Sequence, residues 1–292
     1  MGPTASGKTS LAIQIAKELN TEIISVDSRQ FYEEMEIGTA KPSPQQLAEA
    51  KHHFINNLSI HQEYTAGHFA RDASETIHEL FKTHKTVIAV GGSTLYYKAL
   101  LEGIDDFPSI TTEAKSRVGA IEKSNGLAGL QKSLKEIDPD YYNVMDFENP
   151  RRVIRALEVS YSGSQPYSYY LNKRQYVPDY KIVKIGIDIK RDILYENIDF
   201  RCDEMINSGL LNEVKELYPY RHLKPLHTVG YSEYFDYIDD KLTLQEATSL
   251  FKQHTRNYAK RQMTWLRKEK DLKWLAPGEV LDYVKGGIEF KI

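Results

Sequence analysis

The chain of 292 residues has a single cysteine, Cys202, with no second one to pair with. That excludes an internal disulfide framework and any cysteine-rich zinc module, and Cys202 reads as a packing residue rather than a nucleophile. No apolar run approaches the ~20 residues of a membrane-spanning helix, and no signal peptide opens the chain. The cytoplasm is the expected compartment. Excess charge is also missing: 38 Lys and Arg stand against 41 Asp and Glu, a net charge of −3. Any reading of nucleic-acid binding therefore rests on local clusters. Internal repeats and low-complexity tracts are absent, and His52, His53 and His68 lack a metal-ligand spacing. Hydrophobic residues at 41% and charged residues at 27% suit one large soluble domain or two smaller ones. Twenty tyrosines suit aromatic contact surfaces, though packing accounts for most such residues.

What is present begins at once. Gly2-Pro3-Thr4-Ala5-Ser6-Gly7-Lys8-Thr9 fits the phosphate-loop pattern G-x-x-x-x-G-K-[ST] that nucleotide-binding and ATP-binding proteins use. Glycines let the backbone curl so that successive N–H groups point at phosphate oxygens. Lys8 adds a mobile positive charge, Thr9 offers a hydroxyl to Mg²⁺, and a helix starts at the loop. The loop implies a bound polyphosphate without saying which. Only Met1 precedes Gly2, whereas such loops follow a buried central strand. Roughly ten further apolar residues are expected ahead of the loop in the natural protein, since without them two sheet edges stay open.

Ile23-Ile24-Ser25-Val26, ending in Asp27-Ser28, reads as a short buried strand. The runs 86–90, followed by Gly91-Gly92, and 181–188 read the same way. Helical patterns cover 9–19, 44–51, 67–83 and 94–102. Alternation of this kind predicts a parallel sheet flanked by helices, with the ligand beyond the strand ends beside the loop, Asp27 and Gly91-Gly92. From Pro108 to about Pro178 strand-like runs vanish, and helical stretches near 111–123, 126–136 and 149–161 dominate. The expected organisation is a phosphate-loop α/β core over 1–107 and 180–292, with a helical insertion over 108–179. Helices are expected at about 191–207, 209–217 and 243–268, with a loop through Pro225 and Gly230 between the last two.

Asp27, after an apolar run and beside a phosphate loop, can hold Mg²⁺ through water or accept a proton from a nucleophile; it can also merely cap a turn. Residues 251–268 carry six Lys and Arg and no acid. Lys252, Arg256 and Lys260 share one helical face there, with Tyr258 and Trp265 interleaved and Ala259, Met263 and Leu266 opposite. A phosphate-backbone contact and a solvated basic face both fit. A second cluster, Arg151, Arg152 and Arg155, follows Pro150 on a helix.

Together these segments resemble the tRNA dimethylallyltransferase (tRNA isopentenyltransferase) family, bacterial type. The resemblance rests on residues 2–9, Ile24-Ser25-Val26-Asp27-Ser28 with Gln30 and Tyr32, and Ile37-Gly38-Thr39-Ala40-Lys41-Pro42. It continues through Val90-Gly91-Gly92 with Leu95-Tyr96, Pro150-Arg151-Arg152 with Arg155-Ala156-Leu157-Glu158, and Thr228-Val229-Gly230-Tyr231. The last match is Ala259-Lys260-Arg261-Gln262 with Thr264-Trp265-Leu266-Arg267.

It implies transfer of a dimethylallyl group from dimethylallyl diphosphate to the exocyclic N6 amine of an adenosine. That adenosine is the one 3′-adjacent to the anticodon in tRNAs reading codons that begin with U. Residues 2–9 would bind the diphosphate, Thr9 would hold Mg²⁺, and Thr4, Asp27 and Arg201 would be catalytic, Asp27 as general base. The tRNA anticodon stem-loop would meet Asp27, Ser28, Arg29, Gln30, Ser93, Lys115, Arg151, Arg152, Val153, Ile154 and Arg155. His227, Thr228, Val229, Gly230, Tyr231 and Ser232 would complete that contact, in a monomer.

Three positions depart from the family pattern. Asn197 stands where many relatives carry arginine, one turn before Arg201. Ser93 and Thr94 replace the usual Thr and a larger apolar residue, although the hydroxyl at 93 survives. A phosphotransferase using ATP would leave the basic clusters idle, and an RNA-binding nucleotide switch would give Asp27 no task.

Overall fold

The computed structural model describes residues 1–146, 149–172, 176 and 178–286. The chain divides into two compact units, Met1–Leu101 with Pro178–Ile292, and Glu102–Val177.

In the first unit the phosphate loop leads into α1 (Lys8–Leu19), whose Ala12, Ile13 and Ala16 are buried. Asn20, with φ 46°, turns the chain out of α1 and donates back to the carbonyls of Ala16 and Lys17. β1 (Ile23–Val26) is buried at all four positions, as a strand covered on both faces must be. After α2 (Pro44–Glu49), β2 (His52–His53) pairs parallel to β1. After α3 (Ala66–Phe81), β3 (Ile88–Gly91) pairs parallel on the other side, giving the order β2-β1-β3. Capping boxes start α2 at Ser43 and α3 at Thr65. Asp27 and Gly92 leave adjacent strands at the same end, where parallel sheets present their ligands. Gly91 is required by close approach: a Cβ there would lie 2.0 Å from the Val26 carbonyl oxygen. α4 (Thr94–Glu102) follows.

The second unit is helical: α5 (Thr112–Ile137), α6 (Pro139–Tyr142), α7 (Pro150–Ser162) and α8 (Tyr167–Tyr170). α5 breaks at Gly126 (φ 58°, ψ −154°), so its halves correspond to the patterns at 111–123 and 126–136. Val118, Leu130, Leu134, Val153, Ala156 and Leu157 form its core. The buried carboxylate of Asp138 accepts from the amides of Tyr141 at 3.0 Å and Ser168 at 2.7 Å, tying α6 to α8.

The chain returns to the first unit through β4 (Lys184–Ile187), α9 (Arg191–Asn207), α10 (Leu210–Leu217), α11 (Ser232–Ile238), α12 (Leu244–Leu266), β5 (Leu272–Leu275) and α13 (Pro277–Lys285). β4 and β5 form a second parallel sheet. The Met1 amino group donates to the Ile185 carbonyl at 2.7 Å, and the Ile187 amide donates to the Met1 carbonyl at 3.0 Å. A cavity of about 560 Å³, walled by Ile88 and Val90 of β3, Ile185 and Ile187 of β4, and Leu11 and Ile15 of α1, opens beside Met1.

The strands are parallel and helix-flanked, as expected, but β4 pairs with β5 in a sheet of its own rather than joining β1 and β3. β2, β5, α11 and α13 were not anticipated, and the strands at 86–90 and 181–188 prove shorter, at Ile88–Gly91 and Lys184–Ile187. Gly91→Ala should lower stability by ~3 kcal/mol or more, because backbone carbonyl cannot yield to a Cβ. Gly119→Ala meets nothing within 4 Å on an exposed helix. It should raise stability by ~0.4–1 kcal/mol. Chemical denaturation of both variants checks the contrast.

Candidate active site

Backbone strain shapes the loop before α1. Ala5 (φ 60°) and Gly7 (φ 78°) are left-handed, and Ser6 Oγ closes the curl by donating to the Pro3 carbonyl at 2.8 Å. Lys8 Nζ folds back to the same carbonyl at 2.9 Å. Arg201, from α9, reaches the loop 197 positions away and donates through Nη2 to Thr4 Oγ1. Its Nε is buried without a hydrogen-bond partner among the described residues. Burial, and secondarily the charge of Arg201, pushes the Lys8 ammonium down to about 8, with Asp27 opposing. Burial lowers Arg201 as well. Two poorly solvated cations and an unmet guanidinium N–H describe a receptor for an anion.

Gln262 holds this loop from behind. It is fully buried on α12; its Oε1 accepts from the Thr4 amide and its Nε2 donates to the Gly92 carbonyl, both at 2.8 Å. Sequence reasoning quoted Gln262 without giving it a task. The available signal was a polar residue on the helix face shared by Thr255, Ala259 and Leu266, all buried. Asn197 donates from Nδ2 to the Ala5 carbonyl at 3.4 Å, so it touches the loop backbone and adds no charge there.

Asp27 has two allegiances. Its Oδ1 accepts from the amides of Arg29 at 2.9 Å and Gln30 at 3.3 Å, capping the turn after β1. Among the described residues its second oxygen has no hydrogen-bond partner, and the residue lines two cavities. The small one, about 70 Å³, is also lined by Thr4, Lys8, Thr9, Ser25, Gln30, His52 and Arg201. The large one, about 560 Å³, runs from Thr4, Asp27 and Arg201 past Ser28, Arg29 and Tyr258 to apolar walls of Met205, Leu242, Leu250 and Phe251. Tyr258, pushed up to about 12 mainly by burial, bonds Ser93, whose Oγ accepts the Ser28 amide at 2.9 Å. Gln30 bonds Ser25 and the carbonyls of Thr39 and Ala40, which fixes the facing loop. Lys41 staples that loop through the Tyr32 carbonyl at 2.6 Å.

Among described residues no three His, Cys, Asp or Glu side chains cluster as a metal cage. The small cavity offers instead the Thr9 hydroxyl, the free Asp27 oxygen and the unpartnered Nε2 of His52. That donor set fits a cation coordinated mostly by phosphate oxygens and water, as Mg²⁺ prefers.

The expected nucleic-acid contacts divide. His227, Thr228, Val229 and Ser232 line the large cavity. Tyr231 does not join them: it is fully buried and donates its hydroxyl to Glu213 at 2.6 Å. Glu213 also accepts the amides of Glu36, Ile37 and Gly38, pinning the 36–38 loop. Gly230 (φ 94°) is likewise interior, its amide on Glu233 at 2.8 Å. In the helical unit Lys115, Arg151, Arg152 and Arg155 are exposed, but Val153 belongs to the core and Ile154 packs against it.

The basic stripe of α12 also needs correction. Lys252 pairs with Asp203 at 2.6 Å and Arg256 with Asp199, so both tie α12 to α9. Among the described residues Lys260, Arg261 and Lys268 form no ion pair, and they border a shallow groove with Asn257, Thr264 and Trp265.

A family model described as IPP transferase matches residues 30–269. The tRNA dimethylallyltransferase of Christiangramia forsetii is 45% identical over 99% of this chain and 97% of its own length. This chain belongs to that family. A second relative of the same name, from Flavobacterium psychrophilum, is 44% identical over 94% of this chain and 91% of its own. The crystal structure of the full-length tRNA isopentenylpyrophosphate transferase of Bacillus halodurans superposes with a TM-score of 0.69. It is 33% identical, over 98% of this chain and 94% of that one. The IPP transferase fold thus accounts for the phosphate-loop-like sheet and its flanking helices.

Because Lys8 is pushed down to about 8, most of it is uncharged at pH 9 in the free protein. A bound anion favours the ammonium, so diphosphate binding at pH 9 should take up close to one proton at this site. Calorimetry in buffers of different ionisation enthalpy reads that uptake, which Lys8→Met should lack.

Proposed function

We propose that this protein transfers the dimethylallyl group of dimethylallyl diphosphate to the N6 amine of the adenosine 3′-adjacent to the anticodon in tRNAs reading codons that begin with U. The observation that carries this reading is the meeting of Lys8, Arg201 and Asp27 around the small cavity, with Asp27 and Arg201 also lining the large cavity that Met205, Leu242, Leu250 and Phe251 wall. The allylic C–O bond breaks, the C–N6 bond forms, diphosphate leaves, and the N6 proton passes to Asp27. An adenine amine is a weak nucleophile, so a carboxylate must take its proton as the bond forms. The half of Asp27 left free by its turn is available for that.

The loop amides, Lys8, Arg201 and the Thr4 hydroxyl receive the growing charge on diphosphate, an effect of ~3–4 kcal/mol for each well-placed donor. Mg²⁺ held by Thr9 would neutralise the same diphosphate. Met205, Leu242, Leu250 and Phe251 shelter the prenyl group from water, which would otherwise capture a cation-like transition state. A base must leave its stack to reach this depth.

Ser28, Arg29, Gln30, Ser93 and 227–229 with Ser232 would meet the flipped nucleotide. Lys115, Arg151, Arg152 and Arg155, on the helical unit, would meet the anticodon stem-loop. The protein acts as a cytoplasmic monomer in this reading; no helix among the described residues is long and apolar enough to cross a membrane.

Incubation of unmodified tRNA with dimethylallyl diphosphate should add a dimethylallyl mass to one adenosine, while ATP should transfer nothing; the converse would make the protein a phosphotransferase. Asp27→Asn should cut turnover by ~10²–10⁴ with tRNA affinity kept, and near-normal turnover would reject the general base. Lys260→Ala with Lys268→Ala should weaken tRNA binding and reduce the salt slope by about one per lysine. Lys252→Ala should leave that slope nearly unchanged, as measured by binding titrations across salt concentrations.

A further inference from the structure

His52 presents a buried ring nitrogen to the small cavity, and the reaction described above gives the residue no task. β2 carries it beside β1, in register with Ile23. Its Nδ1 lies 2.8 Å from the Ala50 carbonyl oxygen, an atom that can only accept, so Nδ1 carries the proton. Burial disfavours a second proton on the ring. Nε2 therefore presents a lone pair; it is buried and has no hydrogen-bond partner among the described residues. The ring lines the small cavity with Lys8, Thr9, Ser25, Asp27, Gln30 and Arg201.

Phosphate oxygens also carry lone pairs, so a diphosphate in this cavity cannot satisfy His52 and would be repelled by it at hydrogen-bond distance. Lys8 and Arg201 donate to the anion. The leftover acceptor calls for a donor that accompanies the anion. A water molecule bound to a divalent cation is such a donor, since the cation polarises its O–H bonds outward.

We propose that His52 is a positioning residue for the metal, its Nε2 accepting a hydrogen bond from a water of the cation that Thr9 and the diphosphate would hold. This rests on the metal reading given above. Outer-shell partners of this kind change metal affinity by about ten- to a hundredfold when removed.

The test uses the full-length protein, inorganic diphosphate as the probe, and two variants. His52→Leu keeps an apolar side chain of comparable bulk and removes the acceptor; His52→Gln restores one. Calorimetry measures diphosphate affinity with EDTA and with Mg²⁺, and electron paramagnetic resonance measures Mn²⁺ binding to the protein–diphosphate complex. In EDTA all three proteins should bind diphosphate within about twofold of one another. With metal present, His52→Leu should lose about ten- to a hundredfold in Mn²⁺ affinity, and His52→Gln should recover most of it.

Equal Mn²⁺ affinity in the wild-type protein and His52→Leu would overturn the proposal and leave His52 a core residue. Equal losses in EDTA and in Mg²⁺ would also overturn it, by showing that His52 shapes the loop rather than serving the metal. A wild-type protein whose diphosphate affinity ignores Mg²⁺ would sink the metal reading and this proposal together, with the diphosphate site left standing. Should His52→Leu fail to fold, His52→Gln alone decides: a Mg²⁺ response near that of wild type supports an acceptor role, and a lost response overturns it.

Discussion

The site depends on positive charge that the fold has taken out of water without fully repaying. Lys8 and Arg201 are both disfavoured as cations by burial, and the nearby carboxylate of Asp27 spends half of its acceptor capacity on its own turn. Such a pocket is electrically incomplete until a polyanion enters. The completion is assembled from remote pieces of chain. Thr4 receives Arg201 on its hydroxyl and Gln262 on its amide, from 197 and 258 residues away. The loop at the start of the chain therefore takes its working shape only when α9 and α12 have docked on the sheet.

Asp27 shows why a capping role and a catalytic role need not compete. A carboxylate has two oxygens, and the turn amides of Arg29 and Gln30 both fall on Oδ1. Those bonds fix the plane of the group and leave Oδ2 for chemistry. The two readings left open for this residue in the sequence are one arrangement in space.

Much of the molecule was legible because its signals are local. The phosphate loop, the β1 run ending at Asp27, and the helices α1 to α5, α7, α9, α10 and α12 each announce themselves within a few residues. β2 escaped because two residues carry too little periodicity, and β5 because Lys273 interrupts its short apolar run; their pairing with β1 and β4 is decided by tertiary contact. The 225–238 segment reads as loop because Pro225 and Gly230 punctuate it, yet Tyr231, Tyr234 and Phe235 are buried and carry α11. Tyr231 and Val153 fall inside motifs that resemblance assigns to tRNA, and both prove to be core. A motif records that a stretch is needed, whereas burial tells which of its side chains hold the stretch and which can touch a partner.

The same distinction governs α12. Helical spacing alone groups Lys252, Arg256 and Lys260, but it does not see that α9 presents Asp203 and Asp199 to the first two. Once those pairs form, the stripe loses two of its three charges to the protein itself, and the surface available to a phosphate backbone moves toward Lys260, Arg261 and Lys268. Gln262, two positions past Lys260, points the other way and is buried on Thr4 and Gly92. Adjacent residues of one basic motif thus answer to different masters. The exposed lysines offer themselves to an outside polyanion, while the buried amide fixes the loop that would hold the inside one. A helix tethered at its buried face through two hydrogen bonds presents its outer charges at fixed positions relative to Thr4, so both anions would be received by a single rigid element.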